Sequence, residues 1–554
     1  MVKGYCALVL HSHLPYVRRA GLWPHGEEMI HEAIAETYLP LARTLRAWER
    51  DRVPARLTLG LTPILLEQLA DRDVLESFVA YAEVEIAAAE RDVRHANSAE
   101  RMALARFYIQ FYRDALALFD EIGGDLVGTF RHARDAGLID ALTCAATHAY
   151  LPLLDRDSTI AAQLDVGRAT SRRHLGAPTG GIWLPECAYR PAYYDGVGRL
   201  RPGIEEFLEQ RGLTHFVAET AAVVAGAAVG KAAGDVLGPY GVPQRRVGPT
   251  SASADGGRSV LVPFAVRDSG VAVFGREPRT GLLVWSASQG YPGDSAYREF
   301  HRKDPLSGLQ YWRVTGARAE LADKALYEPA AARARVGVHA RHFVEEVAAL
   351  LSSGRGQGGV PPLVVAAFDT ELFGHWWFEG VEWLDAVARE IAGRADVAMM
   401  ATAAYLDRHP PEEAIDLPES SWGAGADHTT WANEQTADLW ATIHEAERRM
   451  ERLVALASEL PAQRRALAQA AREKLLLDAS DWPFLISTGQ AAEYARERFR
   501  GHADRFLALA RIVEANRTDA DAAAYVSECE RADNPFPDLD PRLFAARQGR
   551  AATY

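Results

Sequence analysis

Cysteine is scarce: Cys6, Cys144, Cys187 and Cys529 are the only four in a chain of 554 residues. Their spacing matches no metal-binding pattern, so the expectation is reduced thiols in a reducing, cytoplasmic compartment, without structural disulfides. Long apolar runs are also missing. The run Tyr5 to Leu10 is too short to span a bilayer and leads at once into two histidines with no cleavage-site pattern behind it, so neither export nor a membrane anchor is expected. Positive charge is in short supply as well. A net charge of −14 with no Lys/Arg stripe excludes a phosphate-backbone partner, and therefore nucleic acid. No G-x-G-x-x-G or Walker-type glycine loop opens any helix, which removes the signature of nucleotide-binding sheets. Neutral ligands remain compatible with all of these absences.

What is present is length and apolar content: 554 residues at 48% hydrophobic predict two or three domains. Along the chain a short β-rich run, a polar or charged cluster and a long amphipathic helical stretch recur. Tyr5 to Leu10 runs into His11-Ser12-His13, Arg56 to Leu61 ends near Thr62-Pro63, and Leu142 to Thr147 runs into His148. Gly181 to Leu184 runs into Pro185-Glu186, His215 to Ala218 ends at Glu219, Leu283 to Ser286 contains Trp285, and Leu363 to Phe368 ends at Asp369. Parallel strands in a barrel bring their C-terminal ends to one rim, so histidines, acids and tryptophans at successive strand ends point to one shared site. The fold class read from this pattern is α/β, an irregular barrel.

Two stretches depart from the repeat. Ala221 to Pro243, rich in Gly and Ala and carrying Tyr240, reads as a loop that is either a lid or a connector. Ser352 to Pro362 reads as a Gly-rich surface connector. Beyond residue 402 the β-rich runs stop, and Asn433 to Ala457, Pro461 to Leu477 and Gln490 to Ala515 read as long helices. The expected division is therefore 1–401 for the barrel and 402–554 for a helical C-terminal domain.

Two carboxylates stand out, because cleaving a glycosidic bond through a covalent intermediate takes one as nucleophile and one as proton donor. Glu186 follows Pro185 within Ile182-Trp183-Leu184-Pro185-Glu186-Cys187-Ala188-Tyr189. Asp369 opens Asp369-Thr370-Glu371-Leu372-Phe373-Gly374-His375-Trp376-Trp377, where crowding aromatics favour a protonated acid by desolvation. Either acid taken alone reads more readily as a helix cap. Tryptophan distribution tips the balance, since sugar rings stack their apolar faces on flat, partly exposed aromatics. Of twelve tryptophans, Trp183, Trp285, Trp376 and Trp377 fall at expected strand ends. Trp422, Trp431 and Trp482 lie in polar segments beyond the barrel, whereas Trp48 and Trp440 read as helix packing.

The histidines admit a rival chemistry: His11, His13, His148, Asp369 and His375 include enough donors for a zinc site. Against that, metal ligation explains neither the aromatic crowding nor the separate Glu186 segment, and neutral histidines that hydrogen-bond sugar hydroxyls explain both. The reading is of no metal and no other cofactor.

Five segments in order resemble the motifs of glycoside hydrolase family 57, in particular its branching-enzyme subgroup. They are His11-Ser12-His13-Leu14-Pro15-Tyr16, Thr143-Cys144-Ala145-Ala146-Thr147-His148, Trp183-Leu184-Pro185-Glu186, Phe368 to Trp376, and Ser421-Trp422 to Trp431. The resemblance covers most of the chain. It implies an incomplete (β/α)7 barrel, an inserted subdomain with a mobile loop over about residues 187–260, and a helical domain that completes the cleft. It implies Glu186 as nucleophile and Asp369 as general acid/base, with no metal. It places glucan on Trp285, Trp422 and Trp431, with Trp23 as a further contact, and its C-terminal signature, Ser480-Asp481-Trp482-Pro483-Phe484, brings Asp481 and Trp482 to the cleft. Its tyrosine-bearing loop aligns only loosely with the segment around Tyr240. The implied donor and acceptor are both α-1,4-glucans, and oligomeric state is not specified. A 4-α-glucanotransferase or an α-amylase would share the catalytic pair and differ in acceptor handling. A glucan-binding protein without turnover, or a metal-dependent mannosidase- or deacetylase-like enzyme, completes the alternatives.

Overall fold

A computed structural model describes residues 2–21, 25–177, 179–195, 198–224, 234–237, 243–247, 258–286, 290–316, 319–353, 359–456 and 460–546. Trp23 and Tyr240 lie outside them. Ten strands form one sheet. Seven run parallel, side by side, in the order Leu363–Asp369, Gly4–Ser12, Leu57–Leu61, Ile139–Thr143, Gly181–Ile182, His215–Ala218 and Ala272–Gly275. Phe264–Val266 extends this run antiparallel to Ala272–Gly275, followed by Ala414–Ile415, while Val397–Met399 pairs with the start of Gly4–Ser12. The two ends of the seven-strand run meet. Glu277 N–H donates to the Val365 carbonyl at 2.9 Å and Leu363 N–H to the Leu261 carbonyl at 2.8 Å. The sheet is thus curled into the irregular (β/α)7 barrel that the sequence pattern and the family resemblance led one to expect.

Burial on both faces explains why these strands are continuous apolar runs rather than alternating ones. In Gly4–Ser12, Ala7 and Val9 join one core while Cys6, Leu8 and Leu10 join another. The second core is the layer between sheet and outer helices. The first fills the barrel interior and continues without a break into the C-terminal helices, through Ile443, Leu467, Leu475 and Phe506. Those helices are Ala437–Leu456, Pro461–Leu477, Ala492–Glu514 and Ala520–Ala532. One small side chain is dictated by this packing: a Cβ on Gly181 would sit 2.4 Å from the buried His215 ring.

Three sequence expectations change. Leu283 to Ser286 is not a strand but the end of helix Pro278–Trp285. Glu277 caps that helix by accepting from the N–H groups of Arg279 and Thr280, with Pro278 at the first helical position, and these local signals override the β-rich run. The strand that fills the place is Ala272–Gly275, which the sequence pattern did not mark. The expected strand Leu142 to Thr147 ends at Thr143, because Ala146 N–H turns to the Gln163 carbonyl and leaves the ladder. Within the stretch read as a loop, Thr220–Val224 is helical and Gly234–Leu237 pairs antiparallel with Pro243–Val247.

Candidate active site

Glu186 lies just beyond strand Gly181–Ile182, in the turn Pro185–Cys187, with a left-handed backbone at φ 61°. An L-residue pays roughly 1–2 kcal/mol for that conformation, so the surrounding structure must hold it there. It does: the Trp422 N–H donates to the Glu186 carbonyl at 3.0 Å. The side chain is gripped from the same side. Trp422 Nε1 donates to Oε2 at 2.6 Å, Ser480 Oγ donates to Oε1 at 3.3 Å, and His148 Nδ1 stands 3.8 Å from Oε1. His148, five residues beyond the end of the adjacent strand Ile139–Thr143, is also left-handed at φ 57°. Both carboxylate oxygens thus accept a hydrogen bond, of the kind that is strengthened when the acceptor is charged.

Asp369 ends strand Leu363–Asp369 in parallel register with His11, so both side chains occupy the same rung of neighbouring strands. From that rung a cluster of rings leads towards Glu186. His11 stacks on Trp183 with centroids 4.8 Å apart and bonds His148 between their Nε2 atoms at 2.9 Å. His13 stacks on His148 at 3.9 Å, places Nε2 3.1 Å from both Asp481 oxygens, and sets Nδ1 3.2 Å from Thr62 Oγ1. Burial opposes a charged His13, but Asp481, reinforced by Glu371 and Glu186, outweighs it and raises the pKa above the ordinary histidine value. Cys187 links the two acids: burial pushes its thiol well up, and after Arg276 and Glu219 the charges it feels are those of Glu186 and Asp369.

The stacked rings also bear on metal binding. Parallel ring planes direct the nitrogens of His13 and His148 side by side, not towards one point as a tetrahedral ion requires. Among the described residues, the one group of three with ligand atoms within 4.8 Å of one another is Glu473, His502 and Asp533 in the C-terminal helices. The Arg505 guanidinium already fills that place, 3.1 Å from Glu473 and 2.7 Å from Asp533.

The remaining candidates are distributed unevenly. Trp422 meets Trp183 edge-on at 5.1 Å, and Trp285 meets Trp376 at 6.4 Å. Trp431 packs against Tyr150, two residues after His148, at 4.6 Å and against Phe484 at 6.2 Å. Trp376 is partly exposed as expected, but Trp183, Trp285, Trp377, Trp422, Trp431 and Trp482 are buried, because each is packed against another ring or against helix. Trp482 points into the helical core, its Nε1 donating to the Leu476 carbonyl. His375 turns from the two acids towards Glu32 and Glu36, at 3.5 and 3.9 Å, and burial lowers its pKa to about 4.

Several residues at the site escaped sequence reasoning. Ser480 stands beside the noted Asp481, and only its neighbourhood signalled it. Arg276 lies over the Trp422 ring at 5.5 Å and 3.6 Å from Glu219, with no local signal. Glu371 and Tyr38, hydrogen-bonded to each other beneath the Asp369 turn, also went unmarked.

Two acids at the C-terminal rim of a parallel barrel, with histidine and tryptophan rings beside them, suit a carbohydrate-cleaving or carbohydrate-transferring enzyme. Residues 7–418 match the glycosyl hydrolase family 57 model and residues 442–544 match the model for the C-terminal part of 1,4-alpha-glucan branching enzymes, so the chain belongs to glycoside hydrolase family 57. It is 42% identical to a 1,4-alpha-glucan branching enzyme of Thermococcus kodakarensis over 97% of this chain and 78% of that one. The crystal structure of the Thermococcus branching enzyme, in complex with glucose, superposes with a TM-score of 0.89 at 41% identity, over 99% of this chain and 98% of that one. The α-amylase AmyC of Thermotoga maritima superposes at 0.82 with 29% identity, covering 99% and 100%.

Proposed function

We propose that this chain is a retaining 1,4-alpha-glucan branching enzyme that cuts α-1,4 linkages and re-joins the released chain as an α-1,6 branch. Glu186 attacks the anomeric carbon while Asp369 protonates the departing oxygen, giving a covalent glucosyl-enzyme. Asp369 then takes the proton of an acceptor 6-hydroxyl, and the second inversion restores the α configuration. The observation that carries the reading is the grip on Glu186: an indole N–H on one oxygen and a serine hydroxyl on the other fix the ionised carboxylate in one orientation. The two carboxyl groups of a retaining pair stand about 5–5.5 Å apart.

In this reading residues 1–401 carry both carboxylates and residues 402–554 complete the cleft. The donor and acceptor glucans are held by His11, His13, His148 and Asp481 around the cleaved bond and by Trp285, Trp376, Trp422 and Trp431 along the chain. Trp23 and Tyr240 are kept as further glucan contacts on the strength of the motif resemblance alone, whereas His375 and Trp482, buried and turned away from the acids, are not. No helix among the described residues is long and apolar enough to cross a membrane. Four buried free thiols suit a reducing cytoplasm, where the enzyme serves glycogen-type synthesis.

Incubation with amylose tests the reading. New α-1,6 linkages in the NMR spectrum are expected. Longer and shorter linear chains would mean disproportionation, and rising reducing ends without branches would mean the hydrolysis that the resemblance to AmyC also allows. Glu186→Gln should abolish every product, and a fully active variant would remove the nucleophile.

A further inference from the structure

Two segments far apart in the chain meet beside Glu186. Ser480, between helices Pro461–Leu477 and Asp481–Thr488, donates its N–H to the carbonyl of His148, the left-handed residue at the barrel corner, at 3.2 Å. The neighbouring residues Ala149 and Ala479 form an antiparallel bridge, so the two segments are held in register. Their side chains meet as well: Ser480 Oγ stands 2.9 Å from His148 Nδ1 and 3.3 Å from Glu186 Oε1. Across the imidazole, His148 Nε2 is 2.9 Å from His11 Nε2. His148 is stacked on His13 at 3.9 Å and His11 on Trp183 at 4.8 Å, which holds both rings against rotation. His11, His148, Ser480 and Glu186 therefore form one continuous line of hydrogen bonds.

A hydroxyl carries a single proton, and this gives the line a direction. An ionised Glu186 can only accept, so the Ser480 proton goes to Oε1 and the serine oxygen accepts from His148 Nδ1–H. A neutral imidazole protonated at Nδ1 has a bare Nε2, which accepts from His11 Nε2–H. The Glu186 charge, 3.8 Å from His148 Nδ1, favours the proton on that nitrogen over the more distant one. With the opposite tautomers the direction reverses: a bare Nδ1 takes the serine proton, and Oε1 loses its donor. We propose that His11 and His148 are positioning residues for Glu186, acting through Ser480: their tautomers aim the one serine proton at the carboxylate and so keep both of its oxygens held. The proposal deepens the branching-enzyme reading and rests on Glu186 being the nucleophile. No proton moves along the line. Donors that point the same way polarise one another, which strengthens the last bond, the one to Glu186.

Two-bond 1H–15N correlation spectra of the 15N-histidine-labelled full chain at neutral pH read the tautomers directly. The two rings are assigned by the signals that vanish in His11→Gln and in His148→Asn, the latter chosen because asparagine tolerates a left-handed backbone. His148 should carry its proton on Nδ1 and His11 on Nε2. Ser480→Ala removes both the acceptor for His148 and the donor to Glu186. In that variant His148 should become a mixture of tautomers and kcat on amylose should fall about tenfold, with KM changing less. Ser480→Thr keeps the hydroxyl and should restore the tautomers and most of kcat. A wild-type His148 protonated at Nε2, or at both nitrogens, overturns the proposal without recourse to any Ser480 variant. Unchanged tautomers or an unchanged kcat in Ser480→Ala overturns it as well. The spectra do not depend on turnover, so a fully active Glu186→Gln variant would remove the nucleophile reading while leaving the measured tautomers as they stand.

Discussion

Trp422, which follows the last strand of the sheet, donates its indole N–H to Oε2 of Glu186, at the end of a strand 236 residues earlier, at 2.6 Å. The carboxylate proposed as nucleophile is therefore oriented by a residue outside the strand that presents it. Trp422→Phe keeps the ring contact with Trp183 and removes only the donor. A hydrogen bond to a charged group contributes about 1.5–3 kcal/mol, so kcat should fall by roughly ten- to a hundredfold, with KM changing less. Iodine-stained amylose assays over a range of substrate concentrations separate the two parameters.

Asp481 is the partner that raises the His13 pKa against the effect of burial. Asp481→Asn removes the dominant raising influence and leaves desolvation, so the ring should lose its proton at lower pH than in the wild type. Histidine-selective NMR titration reads this directly, and an unmoved His13 resonance would disprove the coupling.

Arg298 and Glu36 form a two-pronged ion pair with the arginine side chain 1% exposed. Removing one member of such a pair strands the other charge, at a cost of about 3–5 kcal/mol. Arg298→Met should lower the thermal midpoint by several degrees. A midpoint equal to the wild type would show that water or a rearranged neighbour replaces the guanidinium.

Glu379 accepts from Tyr327 and from the Arg298 N–H, and burial raises its pKa to about 7 from an ordinary 4.5. The folded chain thus holds a proton that the unfolded chain has already released. The stabilisation from this group is complete below the unfolded value and is lost as pH rises through about 7. Glu379→Gln keeps the acceptor without the ionisation, so its thermal midpoint should fall less than that of the wild type between pH 5 and 8. Parallel curves for the two proteins would count against the shift.

The barrel, the helical C-terminal region and the positions of Glu186 and Asp369 were legible from the chain alone. These are local properties: an apolar run that ends in an acid, with proline or aromatics beside it, is written in adjacent residues, and the five motifs fall in order. The tertiary structure alone decided which groups surround those acids. Trp422 and Ser480 meet Glu186, Tyr38 meets Glu371 and Arg298 meets Glu36 across 236, 294, 333 and 262 residues, respectively. Such pairings depend on the order of strands in the sheet and on the helices folding back into the same core, and no spacing along the chain encodes either. The same holds for the tryptophans: residue type placed them near strand ends, but burial against neighbouring rings is a property of the packed molecule.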